Sequence, residues 1–260
     1  MARALKMNDK KHKWQYGKPP VYINFPISMF KRLDGDCLDV RQFKAMAGEI
    51  IHYGIADWYR RECSAWHDPQ EYDAALFSQV LANIGISVNI DKREYFREEV
   101  VPMMAKVTKS AGQPFCGINK DWLFSFRDDD VSDNECLQFL AYCAIRSILG
   151  SAWADVLPKP KRITWGHILS RMAGNNKRVL VDELPPFIAA YNKRRNRDKL
   201  RKSLIHRWHV QVDGQSRGPG GAYYMLHQSM PIAEAIENQK KCKELKRARA
   251  AGQAETRQPP

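Results

Sequence analysis

The chain has 260 residues, 44% of them apolar, which suffices for one large domain or two modest ones. No run approaches the roughly 20 apolar residues that span a bilayer, and Met1 to Lys13 is polar, without the hydrophobic centre of a signal peptide. The formal net charge of +13 points to a polyanionic partner.

That charge is not spread evenly. Residues 1–160 hold 21 Lys/Arg and 21 Asp/Glu, whereas residues 161–260 hold 21 against 8, so the whole excess lies in the last third. A cationic segment on a neutral body favours nucleic acid over an acidic membrane surface, and a cytoplasmic location is expected. The six cysteines, Cys37, Cys63, Cys116, Cys136, Cys143 and Cys242, form no Cys-x-x-Cys pair and are expected as reduced thiols. Cys136 and Cys143 read as small core residues of one helix.

In chain order, Met1 to Lys18 is basic and poor in apolar residues, and reads as a flexible arm. Val21 to Phe30 is extended but interrupted at Pro26, which places it at a sheet edge. Asp34, Asp36 and Asp39 resemble a calcium loop only superficially, because the later oxygen ligands are missing. From Val40 to Arg61, Val40, Phe43, Ala47, Ile50, Ile51, Ile55 and Trp58 recur at helical spacing and predict a long amphipathic helix. His52 on it reads as a packed or surface histidine. Pro69 opens a second helix that Gly85 ends, and Asp91 can cap a third with Tyr95, Phe96 and Val100, which Pro102 is expected to kink or stop. Gln113 to Phe126 reads as a connector packed by aromatics.

Asp128, Asp129 and Asp130 could hold the metals of a nuclease. These acids also precede a helix, where they favour the positive end of the dipole, and Ser132-x-x-Glu135 fits a capping box, which is the preferred reading. Glu135 to Leu149 is the clearest core helix, with Gly150 as its stop, and is the expected first helix of a basic domain. Trp153 to Arg162 reads as a loop. Thr164 can cap a short helix carrying Ile168, Leu169 and Met172 that ends at Gly174, and Leu184 to Ala190 reads as another short helix with proline at its start.

Lys193 to Arg207 holds Lys193, Arg194, Arg195, Arg197, Lys199, Arg201, Lys202 and Arg207 against the single acid Asp198. Leu200, Leu204, Ile205 and Trp208 form one helical stripe, so most of the basic groups point elsewhere. The period then changes to 2 at Val210 and Val212. A turn-rich tip from Asp213 to Gly221 carries Arg217, and Ala222 to Leu226 makes a second apolar run, so a hairpin is expected. Pro231 onward reads as a basic helix from Ile232 to about Lys246, then a polar tail.

A basic helix running straight into a hairpin resembles the recognition helix and wing of winged-helix DNA-binding domains. The resemblance implies base contacts from Asn192, Arg194, Arg195 and Arg197 at the helix start and backbone contacts from Lys199, Lys202 and Arg207, with Lys193 and Arg201 also expected to bind DNA. Arg217 would reach the minor groove. From Pro114 onward the layout is also similar to that of uncharacterised bacterial proteins associated with mobile elements. It shares Pro114-Phe115-Cys116-Gly117-Ile118, Arg171-Met172-Ala173-Gly174 and a Lys199-Leu200 helix leading into Trp208, which implies shared architecture and no particular reaction.

Phosphate-cradling glycine loops, His-Glu-x-x-His and Gly-x-Ser-x-Gly are absent from the sequence. His206, His209 and His227 lack a cysteine or carboxylate placed to complete a metal set. Tyr223 or Tyr224 among arginines and histidines raises a tyrosine recombinase, but both fall on the expected wing strand, and no cofactor or metal is expected. The expected fold is mainly α, in the α+β sense. It comprises a basic arm (1–18), a mainly helical N-terminal domain (19–131), a winged-helix-like domain (132–230) and a basic helical or disordered tail (231–260). The expected function is binding of double-stranded DNA, as a regulator of transcription or of mobile-element replication, with a homodimer formed through the N-terminal domain. A replication initiator, a metal-dependent nuclease and a tyrosine recombinase are the competing readings.

Overall fold

The computed structural model describes residues 22–31, 37–62, 81–82, 91–109, 112–128, 130–150, 158–214 and 221–255, and the fold is mainly helical with small antiparallel sheets. The basic arm, most of the helix expected between Pro69 and Gly85, Asp34, Asp36, Asp129 and Arg217 lie outside these residues, while Leu81 and Ala82 of that expected helix are helical and Leu81 is buried. Two compact units form, one from residues 1–21 and 52–107 and the other from residues 22–51 and 108–260. No helix among the described residues is long and apolar enough to cross a membrane.

The division falls within helix α1 (Phe43–Glu62), which follows a 3-10 turn at Val40–Gln42 as the apolar spacing predicts. In the first unit, His52 of α1 meets the Tyr95 ring edge-on at 5.4 Å and places Nδ1 3.3 Å from Glu99 Oε2, so this histidine has partners that spacing alone did not reveal. The helix starting near Asp91 is not stopped by Pro102. It runs from α2 (Lys92–Tyr95) through a π-helical stretch at Phe96–Val100 into α3 (Val101–Lys109). A proline ring collides with the carbonyl four residues back, here that of Glu98, and the wider π turn around Glu98 makes room for it.

In the second unit, β1 (Tyr22–Pro26) pairs antiparallel with β2 (Phe115–Asn119), from Tyr22 opposite Asn119 to Pro26 opposite Phe115. Pro26 therefore ends a strand, as a residue without an amide proton can. The region from Gln113 to Phe126 is not a plain connector, because β2 leads directly into α4 (Lys120–Asp128). The glycine and buried Cys116 in β2 weakened the alternation by which a strand is recognised.

Helix α5 (Asp133–Leu149) is the centre of this unit. Its residues from Cys136 through Arg146 are all buried, so it is covered on every side rather than along one stripe. Two polar members of that run have hydrogen-bond partners within the unit: Gln138 accepts from Trp208 Nε1 at 3.2 Å, and Arg146 Nη1 donates to the Tyr142 hydroxyl at 2.9 Å. Burial pushes the Cys136 thiol up to about 11 and raises that of Cys143 as well, which keeps both as protonated core residues.

Beyond α5, the supposed loop from Trp153 to Arg162 contains the start of a strand, β3 (Lys161–Ile163), too short and too charged to show a pattern. Helix α6 (Trp165–Met172) follows, capped by Thr164 and closed near Gly174 at φ 72°. A side chain at Gly174 would meet the Ile27 carbonyl at 3.2 Å and Lys31 Cγ at 2.9 Å, so the position requires glycine for space as well as conformation. Next come a 3-10 turn at Val181–Glu183, α7 (Pro186–Ala189), a 3-10 turn at Ala190–Asn192, and α8 (Arg194–His206). Strands β4 (Gln211–Asp213) and β5 (Ala222–Met225) complete a three-stranded antiparallel sheet in the order β3-β5-β4. The final helix α9 (Ile232–Glu255) is longer than expected.

The N-terminus of α5 carries the full capping box: the Ser132 hydroxyl accepts from the Glu135 amide, and the Glu135 carboxylate accepts from the Ser132 amide at 3.1 Å. The Ser132 amide, then its hydroxyl, then Arg207 hold the Glu135 carboxyl below its ordinary value. Because its pKa is lower folded than unfolded, this support is complete above the unfolded value of about 4.3 and is lost as pH falls through the folded one. Ser132→Ala should lower unfolding free energy by about 1 kcal/mol near neutral pH. In urea titrations the deficit should shrink as pH drops below about 4, and a deficit independent of pH would contradict the capping role assigned to Glu135.

Candidate nucleic-acid interface

The basic helix α8 is held at both ends. At its start, Lys193 supplies no side-chain cap, and Asn196 Nδ2 instead donates to the Ala190 carbonyl at 2.9 Å, tying the helix to the preceding turn. That turn is fastened to α6 by Trp165, whose Nε1 donates to the Tyr191 carbonyl at 2.8 Å. Leu200 and Leu204 are buried along the middle. At the far end, Trp208 is 7% exposed, with the rings of Trp122, Phe126, Phe139 and Tyr142 centred 5.1 to 5.9 Å away.

After Trp208 the chain reverses sharply. His209 takes φ 52°, and the Val210 amide donates to the Leu204 carbonyl at 3.0 Å. Val210 is buried, and β4 pairs with β5 from Gln211 opposite Met225 to Asp213 opposite Tyr223. At the base of the hairpin Gly221 has φ 83°, and a Cβ there would come within 2.1 Å of the Ile163 carbonyl. Only glycine lets β5 pass β3 at that distance.

These anchors divide the basic side chains of α8 into two sets. Arg194, Arg195, Lys199, Lys202 and His206 are exposed, and Arg195, Lys199, Lys202 and His206 recur at i, i+4, i+7 and i+11 along one outer stripe. Asn192 and Lys193 are exposed just before it. Arg194 is 88% exposed and lies 3.8 Å from Asp198, a surface pair of little energetic weight. Ile205 is 37% exposed, so it does not belong to the docked stripe to which the spacing assigned it.

Arg197 and Arg201 are half-buried and turn toward the sheet. Their Nε atoms are buried without a hydrogen bond, although Arg197 Nε lies 3.9 Å from Asp198. The Arg201 guanidinium sits 6.0 Å from the centre of the Trp165 ring and hydrogen-bonds the Tyr224 hydroxyl. Burial raises the Tyr224 pKa, and the charges of Arg201 and Arg197 oppose that rise. At 1% exposure and with this partner, Tyr224 is placed as a structural hydroxyl rather than as a nucleophile in line with a phosphate. Arg207, expected on the DNA backbone, pairs with Glu135 and joins the end of α8 to the start of α5.

Three groups on or against α6 were not among the expected site residues. Arg171 is buried, donates Nε to His167 Nε2 at 3.3 Å and leaves Nη1 without a hydrogen-bond partner. Burial first, then the charges of Arg171 and Arg178, lower the His167 pKa. Arg178 lies over Gly166, its Nε 3.1 Å from where a Cβ would stand. Among the described residues no group of His, Cys, Asp or Glu is gathered as a metal set would be, and Asp128 pairs with Arg127 at 2.6 Å.

Protein-family models, curated proteins and solved structures give no match to this chain.

The aromatic anchor makes a direct prediction. Trp208→Ala should cost about 3 to 5 kcal/mol, from the lost ring contacts and the cavity, with Gln138 left without its donor. Trp208→Phe should cost less. Denaturant midpoints measure both, and a change under about 1 kcal/mol for Trp208→Ala would show that the ring is not the anchor described.

Proposed function

We propose that residues 133–226 form a winged-helix domain that binds double-stranded DNA through the outer face of α8, with the β4-β5 hairpin beside it as the wing. The order helix, strand, helix, short helix, helix, strand, strand, from α5 through β3, α6, α7, α8 and β4 to β5, with the first strand pairing with the last, supports this reading, α7 being an insertion between α6 and α8. The observation that carries it is the outer stripe of Arg195, Lys199, Lys202 and His206 on a helix whose other side is fixed by Leu200, Leu204 and the packed Trp208. A helix presented in this way fits a major groove and brings guanidinium groups to purine edges. Regulation of transcription, or of the replication of a mobile element, is the process such a domain would serve.

The inward turn of Arg197 and Arg201 refines the roles. In this reading Asn192, Arg194 and Arg195, exposed near the start of α8, read bases. Lys199 and Lys202 meet phosphate in the same reading, and Arg197, Arg201 and Arg207 hold the helix against its neighbours.

Selection of bound duplexes from a random pool at two salt concentrations tests the function. An enriched motif that persists at the higher salt is the expected result, and absence of both enrichment and duplex binding would contradict the reading. On the enriched site, Arg195→Ala should weaken binding by about 1 to 3 kcal/mol and relax the preference, whereas Lys202→Ala should weaken all sequences alike. Parent affinity in both variants would remove α8 from the interface.

A further inference from the structure

Helix α9 leaves the sheet soon after it begins. Gln211 of β4 directs it: its Oε1 accepts from the Ile232 amide at 2.9 Å, and its Nε2 donates to the carbonyls of His227 at 2.6 Å and Met230 at 2.9 Å. Ala235 and Ile236 are buried, and every residue from Lys240 to Ala250 is exposed. That exposed stretch carries Lys240, Lys241, Lys243, Lys246, Arg247 and Arg249 against the single acid Glu244.

At 3.6 residues per turn, a general property of α-helices, these six cations point around the whole circumference. Lys240 and Lys243, Lys243 and Lys246, Lys243 and Arg247, and Lys246 and Arg249 are three or four residues apart and repel one another. Leu245, 61% exposed, is the single large apolar residue of the stretch. A helix lying in a membrane surface needs a continuous apolar face, and a coiled coil needs an apolar seam. Neither is present here. A duplex groove, by contrast, has phosphates along both walls, and a major groove about 12 Å wide admits a helix about 10–12 Å across.

We propose that Lys240 to Arg249 is a second DNA-contacting element, a helix that neutralises phosphates on both walls of a duplex groove without reading bases. The proposal takes its partner from the reading of α8 as a DNA-binding helix, but it depends on residues that α8 does not share. Bound phosphate would relieve the repulsion within the helix, so binding and helix stability are coupled.

The test uses the full chain, a variant with all six cations of this stretch changed to glutamine, and a variant carrying Arg195→Ala, Lys199→Ala and Lys202→Ala. Binding to a duplex without a preferred site is measured over a range of salt. Each phosphate neutralised contributes about −0.9 to the slope of log K against log salt, so loss of six contacts should flatten the slope by about 5. A flattening of about two or more in the glutamine variant supports the proposal, and a smaller one overturns it. Amide exchange across residues 240–255 should also slow when the parent binds duplex.

If the glutamine variant loses slope while the α8 variant binds as the parent does, the inference stands and the α8 reading fails. If the parent binds no duplex, both fall. Phosphatidylserine vesicles bound as tightly as duplex at the same salt would overturn the proposal in favour of a membrane surface.

Discussion

Burial of one tryptophan organises the second unit. Trp208 closes the basic helix α8 by entering a cluster of aromatic rings from α4 and α5, and its indole nitrogen reaches Gln138 in the buried run of α5. An indole placed there must bury its ring and satisfy its N–H together, which leaves α8 little freedom to rotate about its axis. The angular position of Trp208 fixes which side of α8 faces inward, and therefore which cations stay outside. The strained backbone of His209 and the return bond from Val210 to Leu204 then start β4 from a defined point.

The cations of α8 serve two physical ends. Arg197 and Arg201 spend their stems and part of their charge on the space between helix and sheet, where an aromatic face, a hydroxyl and Asp198 accept them. Such groups fix orientation at the cost of desolvation. The outer stripe keeps its hydration. A dense positive charge is tolerated on one small helix because the inward arginines are partly neutralised by their surroundings and the outward ones are screened by water.

Much of this architecture was legible in the sequence, where local chemistry is strong. The capping box at Ser132, the Thr164 cap, the end of α6 at Gly174 and the apolar spacing of α1 and α5 each depend on residues close together in the chain, and each is present. The elements that were not legible depend on distant partners. Strand β3 has three residues, two of them charged, and exists because β5 pairs with it across the hairpin base. Strand β2 is fixed by β1, about ninety residues earlier in the chain. The helix past Pro102 is continuous because a π turn absorbs the clash, and nothing in the composition signals that.

The candidate interface was legible as a charge density but not as a surface. Leu200, Leu204 and Trp208 locate the buried side, yet Arg197 and Arg201 lie on the same side at helical spacing, so counting cations overstated how many face outward. We propose that the outer face of α8 meets a DNA duplex. The most direct measurement of this is a solution NMR titration of the chain with duplex DNA carrying a selected site, following backbone and side-chain signals. The largest perturbations are expected at Arg194, Arg195, Lys199 and Lys202, with the Trp208 indole signal unmoved. Perturbations that spare those four while Arg197, Arg201 and Trp208 shift would contradict it.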